Sequence, residues 1–219
     1  MYLQITTRCN MTCEHCCFSC TAKGDDMTLE TASNALALVA GDYITIGGGE
    51  PTIHPKFNDI LINAIGECEG VHVITNGSIA KTALLLHKLA KAEVIGAELS
   101  QDDFHDWGMV DPEVREAFEG MSGGIRDTYG TQDHTVKARG RALESDYLDT
   151  VDECCCPGPI VKPDGGVYWC GCDGALCLGN VNDPGFDYYD MINSVDDSDE
   201  CWRELPSEDK EALSSLTTV

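Results

Sequence analysis

The sequence predicts an α/β protein: an open, partial (β/α) barrel of about five to six parallel strands, followed by a small Cys-rich C-terminal extension. Three observations predict it. Short apolar runs alternate with Ala/Leu-rich segments of helical spacing through residues 2–119, the order that builds a parallel sheet. The recognisable strands are too few to close an eight-stranded barrel. The glycine-rich and polar motifs follow directly after these runs, at the strand ends where α/β folds place their sites.

Each element has a local reason. Residues 2–6 read as the first strand. Residues 27–40 read as a helix, with Thr28 as its N-cap and Ala/Leu spacing behind it. Residues 43–46 are a short apolar second strand that runs into a glycine turn, and residues 58–65 return as a helix. Residues 71–75 form a third strand ending at Asn76-Gly77, then residues 79–90 are helical and residues 92–99 give a fourth strand. Residues 112–119 start a further helix, with Pro112 in its first turn. Residues 120–131 read as loop and residues 134–139 as a fifth strand. The composition shifts at Asp152, and from there to Asn182 Cys, Gly and Pro dominate, as in hairpins and loops. Residues 183–219 are acidic, and read either as carrying a short helix over 208–216 or as partly disordered. Two units follow, residues 1–150 and residues 151–219.

Composition excludes several classes. The 219 residues are 42% hydrophobic, enough for a sizeable core. No apolar run reaches the roughly 18 residues a membrane span needs, so no membrane partner is expected. The net charge of −24, from 38 acidic and 14 basic residues, argues against free nucleic acid, because phosphate binding needs clustered Lys and Arg. The 13 cysteines are an odd count, and no basic stretch followed by an apolar one precedes them. Metal-bound thiols in a reducing cytoplasm are the expectation.

The cysteines carry the chemistry. Cys9, Cys13 and Cys16 read C-x3-C-x2-C directly after the first strand. An iron–sulfur cube is normally held by four thiolates. Three local ligands leave one iron open to another molecule, as in an open catalytic metal position. The alternative is a zinc knuckle or buried thiols. Gly47-Gly48-Gly49-Glu50-Pro51 follows the second strand; its glycines let backbone approach a ligand closely, and its carboxylate can accept from an ammonium group. Thr75-Asn76-Gly77 ends the third strand, and Ser100-Gln101-Asp102-Asp103-Phe104-His105-Asp106 ends the fourth.

Together these motifs resemble the radical S-adenosylmethionine (radical SAM) superfamily. The resemblance implies a [4Fe–4S] cluster on Cys9, Cys13 and Cys16, with SAM chelating the open iron. It implies that Gly48, Gly49 and Glu50 position SAM, with Thr75, Asn76, Ser100 and Asp102 nearby. One electron from the cluster would cleave SAM to methionine and a 5′-deoxyadenosyl radical, which abstracts hydrogen from a substrate. A reducing donor such as flavodoxin or ferredoxin is implied. His105 reads either as an acid/base or as a solvated loop residue, and Arg141 either as a partner of the SAM carboxylate or as a surface residue.

A second constellation comprises Cys154, Cys155, Cys156, Cys170, Cys172 and Cys177, with a hairpin turning at Pro163-Asp164-Gly165 between them. The C-x9-G-x4-C spacing from Cys155 to Cys170 and the Leu178-Gly179-Asn180 run are similar to the opening of the SPASM domain or its shorter twitch relative. That resemblance implies one auxiliary [4Fe–4S] cluster, with Cys155, Cys170, Cys172 and Cys177 as ligands. Which of the triplet ligates is left open, and zinc is the alternative. Further paired cysteines downstream are absent; only Cys201 follows. Cys17, Cys20 and Cys68 read as loop or packing thiols. The substrate expected from the resemblance is a peptide or protein side chain, or a small molecule. Nucleoside modification, activation of a glycyl-radical enzyme and a non-catalytic electron carrier stand as alternatives.

Overall fold

The computed structural model describes residues 1–126, 136–144, 150–151, 158–171 and 175–193. Its core is a βα alternation: β1 (Tyr2–Thr6), α1 (Leu29–Leu38), β2 (Tyr43–Gly48), α2 (Phe57–Glu67), β3 (Gly70–Thr75), α3 (Ala80–Lys91), β4 (Gly96–Ser100), α4 (Pro112–Glu119) and β5 (Ile125–Arg126). After it come β6 (Val136–Lys137), a 3-10 turn at Gly140–Glu144, β7 (Thr150–Val151), β8 (Ile160–Val161), β9 (Gly166–Tyr168), β10 (Cys177–Asn180) and α5 (Tyr188–Asn193).

The main sheet has the order β10-β9-β8-β1-β2-β3-β4-β5. The six strands from β8 to β5 run parallel to their neighbours, whereas β8–β9 and β9–β10 are antiparallel. The expected mostly parallel, open α/β sheet is therefore present. One of its parallel strands comes from an unexpected place: β8 lies beside β1, pairing Tyr2 with Ile160 and Leu3 with Val161. The hairpin of the Cys-rich segment thus continues the core sheet.

Burial explains the layering. β1, flanked on both sides, buries Leu3, Gln4, Ile5 and Thr6, whereas β3 and β4 alternate buried and half-buried residues. The helices cover one face: Ala32, Ala35 and Leu36 of α1, Ile60 and Leu61 of α2, Leu86 of α3 and Phe118 of α4 join Ile46, Val73 and Leu99 in one core. Each Leu, Ile, Val or Phe side chain among these contributes about 1.5–3 kcal/mol on burial. Tyr2, Ile74 and Ser100 point to the other, concave face and line a pocket there.

Local chemistry sets the boundaries. Thr28 caps α1, its Oγ1 accepting from Thr31 N–H at 3.0 Å. Asp111 caps α4 by accepting from Glu113 N–H, with Pro112 just inside. Strand four begins at Gly96, later than expected, because residues 92–94 complete the turn out of α3: Val94 N–H bonds Leu89 C=O, and Glu93 takes φ +57°. The fifth strand of the sheet is β5, within the stretch read as loop. Val136–Lys137, in the segment read as the fifth strand, instead pairs with β7 in a separate two-stranded sheet. Two-residue strands in a glycine-rich stretch carry no period to read. The Pro163-Asp164-Gly165 hairpin forms as expected, with Gly165 N–H bonding Lys162 C=O. The helix expected over 208–216 lies outside the described residues. Among the described residues, no helix is long and apolar enough to cross a membrane.

Candidate active site

The pocket opens at the C-terminal ends of β1 to β5. It brings together Cys9, Cys13 and Cys16 from the loop after β1, Gly48, Gly49 and Glu50 from the end of β2, Thr75 and Asn76 from the end of β3, and Ser100 and Asp102 from the end of β4. All ten residues expected at the catalytic cluster and SAM site line this one space.

The backbone of the cysteine loop is fixed by close approach. Gly49 N–H bonds Thr6 C=O and Glu50 N–H bonds Arg8 C=O, both at 2.8 Å. A Cβ on Gly49 would sit 2.1 Å from Arg8 O and 3.0 Å from Cys9 Cβ, so only glycine fits there. From the other side, Asp26 holds the exit of β1, accepting from Thr6 Oγ1 at 2.7 Å and from Arg8 Nε at 2.9 Å. Burial would raise the Asp26 pKa, but the bonds from Arg8 and Thr6 overcome it and bring it below the ordinary value.

Glu50 is fully buried. Its Oε1 accepts from Thr52 N–H at 3.1 Å, from the Thr52 hydroxyl, and from Thr75 Oγ1 at 2.7 Å; its Oε2 accepts from Asn76 N–H at 2.6 Å. Burial raises its pKa, and these donors pull against that rise. The carboxylate therefore ties β2 to β3. Asn76 extends the link, its Nδ2 donating to Asn10 Oδ1 at 3.1 Å and lying 3.8 Å from Cys9 Sγ.

The thiols sit in contrasting fields. Burial, followed by the negative charges of Cys9, Cys16 and Asp102, pushes Cys13 up to about 12. Burial also raises Cys9. The Cys20 thiol donates to Cys16 and holds it down at about 6, and Cys20 N–H points at Cys16 Sγ at 3.4 Å. Three thiols whose anions repel one another in one half-buried loop form a donor set that a shared cationic centre would satisfy. The residues present thus fit an iron–sulfur cluster, and the pocket continues past them toward Gly48 and Asp102. Cys17 and Cys20 line the same pocket, and Cys68 caps the end of α2.

Sequence reasoning missed several participants. His15 stands between two of the cysteines and packs on Phe104 and His105. Asp102 Oδ1 lies 2.7 Å from His105 Nδ1 and its Oδ2 lies 3.5 Å from His15 Nε2. His105 is thus held at the carboxylate and is not a solvated loop residue. Burial, with help from His105, Arg126 and Arg141, lowers His15 to about 4 against the pull of Asp102. Burial would raise Asp102, but the His105 bond and the histidine charges bring it down. Arg126, on the unread β5, also lines the pocket, and among the described residues that do so it is the one Lys or Arg. Arg141, by contrast, does not reach out for a ligand. Its guanidinium bonds the carbonyls of Cys13 and Cys20.

The Cys-rich constellation is described only in part. Cys170 is buried in the core at the end of the hairpin, and Cys177 is exposed at the start of β10. Cys155 and Cys172 lie outside the described residues, as do Cys154, Cys156 and Cys201.

An open parallel sheet with three cysteines and a glycine-rich turn at its C-terminal edge defines a cluster-binding α/β fold. Residues 3–122 match the Radical SAM superfamily, and the chain belongs to it. A [4Fe–4S] cluster and SAM are that family's cofactors. The chain is 30% identical over 151 residues to the mycofactocin maturase MftC of Mycolicibacterium smegmatis, covering 67% of this chain and 34% of that protein. It is 31% identical over 145 residues to the antilisterial bacteriocin subtilosin biosynthesis protein AlbA of Bacillus subtilis, covering 62% of this chain and 31% of that protein. The chain therefore spans about a third of the length of these relatives. Its fold is similar to the crystal structure of BtrN in complex with AdoMet and 2-DOIA, with a TM-score of 0.58 at 15% identity, over 99% of this chain and 85% of that one.

Proposed function

We propose that this protein is a radical SAM enzyme that modifies a peptide or protein side chain. The observation that carries the enzyme reading is the convergence of Cys9, Cys13 and Cys16 with Gly48–Glu50 and Asp102 in one pocket. Support for a peptide substrate comes from the relatives, one a maturase and one named for making a bacteriocin, which is a peptide. When bound, the cluster supplies the single electron that cleaves SAM to methionine and a 5′-deoxyadenosyl radical.

The chain's own residues bind, orient and shield. Cys9, Cys13 and Cys16 would hold the cluster. Gly48 and Gly49 let the backbone come close to the methionine end of SAM, and Glu50 fixes the turn that presents it. Arg126, which lines the same pocket, would pair with the SAM carboxylate. Ser100 would hydrogen-bond the ribose, and Asp102, held by His105, lines the same space. Thr75 and Asn76 act by bracing Glu50 and the cysteine loop. A Cys-rich extension holding one auxiliary cluster through Cys155, Cys170, Cys172 and Cys177 completes the reading, with residues 1–150 as the core and 151–219 as the extension. A reducing cytoplasm and a flavodoxin- or ferredoxin-type donor suit both clusters.

The test is anaerobic reconstitution with iron and sulfide, then dithionite and SAM, with 5′-deoxyadenosine assayed and iron counted. Deoxyadenosine with about eight irons per chain is expected, or about four if the extension holds none. Cys13→Ala should abolish deoxyadenosine and lose about one cluster's iron; wild-type iron and turnover in that variant would sink the assignment.

A further inference from the structure

We infer that Arg141 is a positioning residue for the catalytic cluster: it clasps the cysteine loop from a distant part of the chain and sets how firmly, and at what potential, the cluster is held. The inference rests on the radical SAM reading and adds a residue whose role that reading does not assign.

The geometry is threefold. Arg141 Nη1 donates to Cys13 C=O at 2.6 Å, and Nη2 donates to Cys20 C=O. Arg141 N–H donates to Cys16 C=O at 3.0 Å. One residue thus holds three carbonyls of the loop that carries Cys13 and Cys16, across more than 120 positions of sequence. The preceding residue makes the approach possible. Gly140 has φ +51°, and a Cβ there would lie 2.5 Å from Cys17 O and 2.6 Å from Cys16 O. Any side chain at 140 would lift the clasp off the loop.

Two consequences follow from the chemistry of guanidinium. Its planar fork holds two acceptors in fixed relative positions, which a lysine ammonium does not reproduce. The two bonds therefore fix the spacing of the loop's two arms and with it the directions of the Sγ atoms. Its charge also stands against the loop that carries the thiolates, in contact with the Cys13 and Cys20 carbonyls. A reduced cluster carries one more negative charge than an oxidised one, so a nearby fixed cation favours reduction. Net charge and hydrogen bonding around a cluster are established levers on its potential.

The experiment compares wild type, Arg141→Gln and Arg141→Lys after anaerobic reconstitution. It follows iron release to a chelator and the potential of the cluster whose EPR signal changes on adding SAM. Arg141→Gln should release that iron roughly 10- to 100-fold faster, the usual cost of losing a group that orients a metal ligand, and its potential should fall. Arg141→Lys should restore the potential by restoring the charge, yet keep the fast release because it lacks the fork. Gly140→Ala should release iron fast with the guanidinium present. Wild-type release and potential in both Arg141→Gln and Arg141→Lys would overturn the inference. If Arg141→Gln does not fold, Arg141→Lys decides alone: fast release supports the clasp, and wild-type release overturns it. A wild-type chain that binds no SAM-responsive cluster would overturn the radical SAM reading itself, a distinct result.

Discussion

Glu50 shows how one side chain serves as a joint. Four protein donors converge on its buried carboxylate, from Thr52, Thr75 and Asn76. Glu50→Ala strands those donors, each of which costs about 1–3 kcal/mol when left unsatisfied. We expect lowered urea stability of the chain together with weakened SAM binding; calorimetric titration with SAM and an unfolding curve measure the two effects separately, and unchanged values in both would remove Glu50 from both roles. Asp26 gives a pH prediction. Its pKa is depressed in the folded chain, so its contribution to stability is present above the ordinary carboxylate value of about 4 and is lost as pH falls through that value toward the lower folded one. Asp26→Asn should therefore lose stability near neutrality and flatten the acid limb of the curve, read by thermal melting of the cluster-free chain between about pH 6 and 3. At this scale much was legible. The cysteine spacing and the glycine run each carry a chemical reason inside a few consecutive residues. The roles of Arg141, Arg126 and His105 were not legible, because they depend on partners that only folding brings near.

Among the elements, the strand ends matter most. β2 delivers Gly49 against Arg8 with no room for a methyl group. Gly49→Ala should cost about 1–3 kcal/mol, as overpacked sites do, and should prevent cluster loading by pushing the cysteine loop outward. Iron content after reconstitution, beside a melting curve, tests this; normal iron content would show that the loop tolerates the shift. α1 and α4 were readable in the sequence because their start signals are short-range: Thr28 bonds an N–H three residues away, and Pro112 sits in the first turn of α4. β5 was not, because Ile125 and Arg126 gain their strand character from pairing with Leu99 and Ser100. The start of β4 was misplaced for a related reason, since Ala92-Glu93-Val94 alternates apolar and polar as a strand does but is used in the turn out of α3.

The whole molecule is defined by a sheet whose central strand is β1, held by β2 on one side and β8 on the other. No local pattern announces the pairing of Tyr2 with Ile160, since register across such a separation is decided by tertiary packing. The alternation of the first four strands was legible, and the place of the hairpin was not. The excess of acidic groups also belongs to this scale. A net charge of −24 works against a compact chain through self-repulsion, and salt screens it over about 10 Å at 0.1 M. The melting temperature should rise between about 0.02 and 0.5 M sodium chloride; a flat or falling response would show that self-repulsion does not limit the stability of the fold. The middle position of β1 has a further consequence for biogenesis. The cysteine loop is translated before β8, so the strand that bears it gains its second neighbour only after β8 has emerged. Contacts so remote along the chain form slowly. The strand that leads into the cysteine loop is thereby completed only once the hairpin has been made.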